Sequence, residues 1–154
     1  SAIYTDEHMI GMNPLEATPG AADSLAYASV VYIYSGMPER GLELIEKATQ
    51  LDSFPQPWFA HPKGAARIFL GDYEEALAHY RACLDALPDY IWCNVNIIVP
   101  YMALGMTDEA RAQAREVLRI NPDFDTATAV QVLRIRDTAI RDQWGGYLRQ
   151  AGLP

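Results

Sequence analysis

Gly71-Asp72-Tyr73-Glu74-Glu75-Ala76 has two close counterparts in this chain. They are Gly36-Met37-Pro38-Glu39-Arg40-Gly41, which begins 35 residues earlier, and Gly105-Met106-Thr107-Asp108-Glu109-Ala110, which begins 34 residues later. A glycine in such a position suits the left-handed end of one helix, and the residues after it suit the start of the next. A small residue follows five positions after each glycine, where two helices approach closely: Gly41, Ala76 and Ala110. The pattern predicts three copies of a helix–turn–helix unit.

A helix–turn–helix unit with this period resembles the tetratricopeptide repeat, whose units stack into a solenoid. Each unit ends seventeen residues after its glycine, at Ser53, Pro88 or Pro122, and proline suits that place because it cannot continue a helix. We therefore expect an all-α fold, a right-handed tetratricopeptide-type α-solenoid of about three repeats with a partial N-terminal repeat and a C-terminal capping helix. The expected single domain, 1–154, divides into a partial repeat (1–15), repeats (22–54, 57–90 and 91–124) and the last helices with the cap (125–154).

Several residues predict where individual helices begin or are disturbed. Pro62 and Pro100 fall inside predicted helices, and each removes a backbone hydrogen bond, so we expect a kink or a late start at both. Thr107 is expected to cap its helix through its hydroxyl, and Asp137 to cap the last helix. Trp144 on that last helix is expected to cover the apolar side of the final repeat, which a solenoid would otherwise expose.

Composition limits the classes of function. The chain has 12 basic and 20 acidic residues, a net charge of −8, and no basic run, which argues against nucleic-acid or anionic-membrane partners. Half of its residues are apolar, enough for a core, yet no apolar run approaches the ~18 residues of a membrane span. Cys83 and Cys93 are expected to be buried, reduced thiols. A cytoplasmic location is therefore expected for this chain.

Catalytic chemistry is not predicted. His8, His61 and His79 lie far apart and lack the spacing of metal ligands. The pair Glu74-Glu75 is better explained by the helix dipole, which favours acids in a first turn, than by acid–base catalysis. No serine or cysteine stands in a nucleophile motif. The sequence therefore predicts a protein that is not an enzyme and that needs neither a metal nor a cofactor.

The last third of the chain carries a more particular resemblance. The stretches concerned are Asn121-Pro122-Asp123-Phe124, Ile135-Arg136-Asp137 and Tyr147-Leu148-Arg149-Gln150-Ala151-Gly152-Leu153-Pro154. They resemble the end of tetratricopeptide tails on bacterial class III adenylate/guanylate cyclases. The resemblance implies the non-catalytic, regulatory C-terminal region of a bacterial signalling protein. Tails on winged-helix transcriptional regulators are similar, which gives an alternative parent protein.

A partner-binding groove is predicted on the concave side of the solenoid. Trp58 and Trp92 are 34 residues apart and so occupy equivalent places in consecutive repeats. A groove rich in aromatic residues and poor in charge suits an apolar or aromatic segment of a protein or peptide. Basic residues that would clamp a peptide carboxylate are missing from this face. The predicted groove residues are Tyr27, Tyr34, Trp58, His61, Phe69, Trp92 and Asn96.

Three alternatives to this groove remain open at the level of sequence. The two tryptophans could pack between repeats as core residues. Residues 1–10 of the same chain could cover the groove. The solenoid could instead pair with a second copy, as a homodimer that aligns two attached domains.

Overall fold

The computed structural model describes residues 20–154, and within this range the chain forms helices and turns without a β-strand. The predicted partial repeat, residues 1–15, lies outside the described residues. Each repeat contributes two antiparallel helices, and successive pairs stack side by side. The helices are α1 (Ala21–Tyr34), α2 (Pro38–Leu51), α3 (Ala60–Phe69, preceded by a 3-10 turn, Pro57–Phe59), α4 (Tyr73–Ala86), α5 (Ile91–Asn96), α6 (Ile98–Ala103), α7 (Thr107–Ile120), α8 (Thr126–Leu133) and α9 (Thr138–Gln150).

The three predicted glycine turns are confirmed by their backbone geometry. Gly36, Gly71 and Gly105 have φ values of 92°, 78° and 76°, in the left-handed region that L residues avoid. At the second turn, the Gly71 N–H donates to the Ile68 carbonyl (3.0 Å) and the next N–H donates to the Arg67 carbonyl (2.8 Å). The same pair of bonds closes the other two turns. This arrangement satisfies carbonyls that the helix end would leave unpaired.

Both internal prolines disturb their helices in the predicted way. Pro62 lies in the first turn of α3, which begins only at Ala60 after the 3-10 turn. Pro100 has no N–H to donate to the Asn96 carbonyl four residues earlier. The helix is accordingly interrupted at Ile97, which separates α5 from α6.

One of the two predicted helix caps is wrong. The capping residue of α7 is Met106, which has no side-chain hydrogen bond, and Thr107 is the first residue inside the helix. The predicted cap of α9 is confirmed, because the Asp137 carboxylate accepts from the N–H groups of Ala139 (2.9 Å) and Ile140 (3.1 Å).

The prediction of reduced cysteine thiols is also wrong. Cys83 on α4 and Cys93 on α5 form a disulfide, and both side chains are fully buried. The two cysteines are ten residues apart, one near the end of a repeat and the other near the start of the next. The repeat pattern alone does not indicate that these two positions lie side by side. Stacking of α5 against α4 brings the two positions together.

Close helix packing depends on Gly64 in α3. A β-carbon at this position would lie 2.7 Å from Cζ of Tyr80 and 2.9 Å from two further atoms of that ring. Tyr80 on α4 is fully buried, so its ring cannot move aside. Gly146, in contrast, lies inside α9 with open space where a β-carbon would be.

We expect Gly64→Ala to destabilise the fold and Gly146→Ala to stabilise it. Overpacking against Tyr80 should lower the free energy of unfolding by about 1–3 kcal/mol. The matched change at Gly146 should raise it by about 0.5–1 kcal/mol, since alanine favours a helix interior. Urea denaturation followed by circular dichroism measures both. Shifts of the same sign in the two variants would contradict the packing described for Gly64.

The C-terminal helix does more than cover the last repeat. Helix α9 packs on α8 and also on α6. The Arg136 N–H, just before α9, donates to the Tyr34 carbonyl at the end of α1 (2.9 Å). The C-terminal segment thus reaches from the last helices back to the first pair. None of the helices in residues 20–154 combines the length and apolar character needed to cross a membrane.

Candidate functional site

Trp144 fills the middle of the predicted groove. Its ring centroid lies 5.9 Å from that of Tyr34 on α1 and 5.8 Å from that of Phe69 on α3. Its indole N–H donates to Oδ1 of Asn96 on α5 (3.2 Å). Only 1% of Trp144 is exposed. The expectation that Trp144 covers only the final repeat is therefore corrected, because its contacts join helices of the first three pairs.

Beneath Trp144 lies a buried polar cluster made of Tyr34, His61 and Asn96. Nδ2 of Asn96 lies 3.1 Å from Nε2 of His61 and 3.3 Å from the Tyr34 hydroxyl. The Tyr34 hydroxyl is 3.2 Å from the same histidine nitrogen. We call these three residues the polar cluster.

Hydrogen bonding fixes the protonation of the polar cluster. An indole N–H can only donate, so the Asn96 atom that faces Trp144 must be the oxygen, and the amide nitrogen faces His61. Nε2 of His61 then accepts, which makes the imidazole neutral with its proton on Nδ1. Burial lowers the pKa of His61 to about 4 and raises the pKa of Tyr34, so both stay uncharged near neutrality. The polar cluster is buried and joins α1, α3 and α5.

Tyr80 adds an unpaired hydroxyl to this region. Its ring centroid is 6.4 Å from that of His61. Its hydroxyl is buried and has no hydrogen-bond partner within the described part of the chain. Burial raises its pKa, as it does for Tyr34.

Among the described residues, two predicted groove residues, Tyr27 and Trp58, lie at the surface near Tyr90, which was not predicted; we call these three residues the aromatic mouth. Tyr27 is 65% exposed, and its ring centroid lies 5.1 Å from that of Trp58. Trp58 stacks edge-on against buried Phe59 at 5.0 Å, which holds the indole in place. The ring centroid of Tyr90 lies 6.1 Å from that of His61. Burial, and to a smaller extent its neighbour Tyr27, raises the pKa of Tyr90. Tyr90 therefore joins the aromatic mouth to His61 of the polar cluster.

Trp92 lies in a different place from its repeat equivalent. It lines a cleft of about 270 Å³ between the start of α5 and α8, together with Phe124 and Val132. The predicted single groove is thus divided among three environments. Tyr34, Phe69 and Asn96 contact Trp144, and His61 contacts Tyr34 and Asn96. Tyr27 and Trp58 belong to the aromatic mouth, and Trp92 lines the separate cleft.

Sequence reasoning did not find the role of Trp144 or of Tyr90. Tyr90 precedes α5 by one residue, and the residue before a predicted helix gives no periodic signal. Trp144 was recognised as buried, but the helix that it occupies has no counterpart in the repeat pattern. Its docking position could not be derived from that pattern.

Among residues 20–154, histidine, cysteine and acidic side chains do not gather into a group of three that could hold a metal ion. His79 is partly exposed on α4, and burial followed by the charge of Lys63 lowers its pKa.

Comparison with known proteins supports the fold. Residues 70–133 match the family model described as tetratricopeptide repeat. Two solved structures are similar over most of the chain. One, "Crystal structure of MamA", is 20% identical, covers 89% of this chain and 80% of that chain, and has a TM-score of 0.61. The other, "Crystal structure of MamA protein", is 19% identical, covers 86% of this chain and 72% of that chain, and has a TM-score of 0.59.

Comparison with curated proteins gives no match. The solved structures, at these identities, show the fold alone. Residues 20–154 form an all-α solenoid, and residues 70–133 within it match the tetratricopeptide repeat. Solenoids built from such repeats present extended surfaces that bind partners.

Proposed function

We propose that this chain is a protein–protein interaction module whose aromatic mouth binds an apolar or aromatic segment of a partner. The observation that carries the proposal is the contrast within the predicted groove. Trp144 fills its centre, whereas Tyr27, which is 65% exposed, contacts the partly buried Trp58. Aromatic side chains held rigidly at a surface dominate the binding energy of many interfaces.

The helices that carry Tyr27 and follow Tyr90 have little charge, which favours an apolar partner over an ionic one. Helix α1 carries a single charged side chain, Asp23, and α5 and α6 carry none. A strongly acidic or basic segment would lose its hydration there without gaining an ion pair. Trp58 rests on Phe59, so little side-chain entropy is lost when a partner packs on it.

Our proposal about the parent protein rests only on the resemblance of the C-terminal stretches to a known family. We place the chain in the regulatory C-terminal region of a bacterial signalling protein such as an adenylate cyclase, because of the three stretches between residues 121 and 154. A cytoplasmic location belongs to that placement. An oxidising compartment is the alternative that the Cys83–Cys93 disulfide favours, since disulfides persist mainly in such compartments.

The test is selection of peptides from a random displayed library against the described chain. We expect the selected peptides to be apolar or aromatic, and a Tyr27→Ala, Trp58→Ala double variant to bind them at least about tenfold more weakly. Phe54→Ala is the matched control, because Phe54 is an aromatic residue that is 85% exposed in the loop after α2. It should bind as the wild type does. Melting temperatures of all variants check that the fold is kept.

Two outcomes would change the proposal. Equal binding by the wild type and the double variant would remove the aromatic mouth as the site. If light scattering shows that the wild type dimerises and the double variant does not, the partner is a second copy of this chain.

A further inference from the structure

A polar cleft lies between α8 and α9, apart from the aromatic mouth. Its volume is about 570 Å³. Two arginines, Arg141 and Arg149, line it from α9. The opposite wall, on α8, is apolar at Ala127 and Val130 and polar at Gln131. A cleft of this composition can hold an anionic group and an aliphatic group side by side.

The two arginines share one face of α9 because they are eight residues apart, with Gly145 midway between them. The missing side chain of Gly145 leaves room for a guanidinium. A β-carbon there would lie 3.4 Å from Nη1 of Arg149 and 3.6 Å from Val130. The Arg149 guanidinium therefore folds back over Gly145, toward the turn that carries Arg141.

Both guanidinium groups keep hydrogen-bond donors open. Within residues 20–154 neither forms an ion pair at salt-bridge distance. Asp142 lines the same cleft, and Arg149 helps to lower the pKa of Asp125, after the hydrogen bonds from Thr128. These carboxylates are exposed and leave the arginine donors facing the cleft.

The charge of this region differs in sign from that of the rest of the chain. Residues 125–154, from the capping Asp125 of α8 onward, contain four arginines and three aspartates, a net charge of +1, whereas the total of −8 leaves −9 for residues 1–124. An anion approaching the molecule is thus repelled by the repeats and attracted by the C-terminal helices.

We propose that this cleft binds an acidic peptide segment, with side-chain carboxylates on Arg141 and Arg149 and an aliphatic neighbour against Val130. Carboxylates match the planar, two-pronged guanidinium. The exposed Asp142 in the same cleft disfavours a doubly charged phosphate more than a singly charged carboxylate. The site is independent of the aromatic mouth.

The test uses fluorescence anisotropy with a labelled peptide of alternating glutamate and leucine residues and the full chain. We expect binding that weakens about tenfold in Arg141→Gln and about tenfold in Arg149→Gln. The control is Arg115→Gln on α7, which removes one exposed arginine and so changes the net charge equally. It should leave the affinity within about twofold of the wild type. Circular dichroism melts confirm that each variant is folded.

Three outcomes would overturn the proposal. The first is no binding of the glutamate–leucine peptide by the wild type. The second is an equal loss of peptide affinity in all three variants, which would mean that the peptide is attracted to positive charge anywhere on the surface. The third is binding of free glutarate at the arginines without binding of the peptide, which would make the ligand a small dicarboxylate. Retained binding by a double Tyr27→Ala, Trp58→Ala variant would support a separate site.

Discussion

Replacing Trp144 by alanine is expected to lower the free energy of unfolding by about 3–5 kcal/mol, because it empties a buried site that three helices share. A domain of ordinary stability has about 5–15 kcal/mol in total, so the variant should melt far below the wild type. The Asn96 carbonyl oxygen would also lose its donor. Urea denaturation followed by circular dichroism is the suitable measurement, since the change removes a fluorophore.

Two further variants separate packing from hydrogen bonding at this site. Trp144→Phe keeps an aromatic ring but removes the N–H, and it should cost about 1–3 kcal/mol for the unpaired oxygen of Asn96. Trp58→Ala removes an indole from the open aromatic mouth and should cost less than Trp144→Ala. If Trp58→Ala were the more damaging of the two, the description of Trp144 as a central anchor would be wrong.

Acid is expected to destabilise the chain through His61. The imidazole has its usual pKa, 6.5, when unfolded, and a pKa of about 4 when folded. Between these values the unfolded chain binds a proton that the folded chain does not, so the free energy of unfolding falls as the pH falls. The contribution of His61 to the free energy of unfolding is fully present above pH 6.5 and is lost progressively toward pH 4. The loss should reach about 3 kcal/mol.

Comparison of variants isolates the contribution of His61 from that of the many carboxylates. In His61→Gln the stability difference between pH 6.5 and pH 4 should shrink by that amount, whatever the variant's absolute stability. His79→Gln is the control, because His79 is only partly buried and lies outside the polar cluster. It should keep most of the wild-type pH dependence. An unchanged pH dependence in His61→Gln would contradict a neutral, hydrogen-bonded imidazole.

Most of the fold could be predicted because its signals are local. A left-handed glycine and its two backbone bonds depend on residues next to one another, so Gly36, Gly71 and Gly105 gave the turns directly. Proline acts on the carbonyl four residues back, and this placed the disturbances at Pro62 and Pro100. The Thr107 cap failed because methionine at the preceding position takes the non-helical conformation instead.

The candidate site was harder to predict because its contacts are long-range. Asn96 and Trp144 are 48 residues apart, and no repeat pattern relates them. The repeat correctly made Trp58 and Trp92 equivalent in sequence, but each one meets a different neighbour. Trp58 lies against Tyr27 of the preceding pair, whereas Trp92 faces Phe124 of the following one. Equivalent positions in a solenoid have similar backbone conformations but contact different neighbouring side chains.

The hydrogen bond from Arg136 to the Tyr34 carbonyl, with the docking of Trp144, has a consequence for how the chain comes apart. In an ordinary solenoid each repeat touches only its neighbours, so the terminal repeats fray first and unfolding spreads inward. Here the C-terminal segment is fastened to the first helix pair, and neither described end can loosen without disturbing the other. Amide hydrogens of α1 and α9 should therefore exchange with solvent in the same opening event, as one cooperative unit.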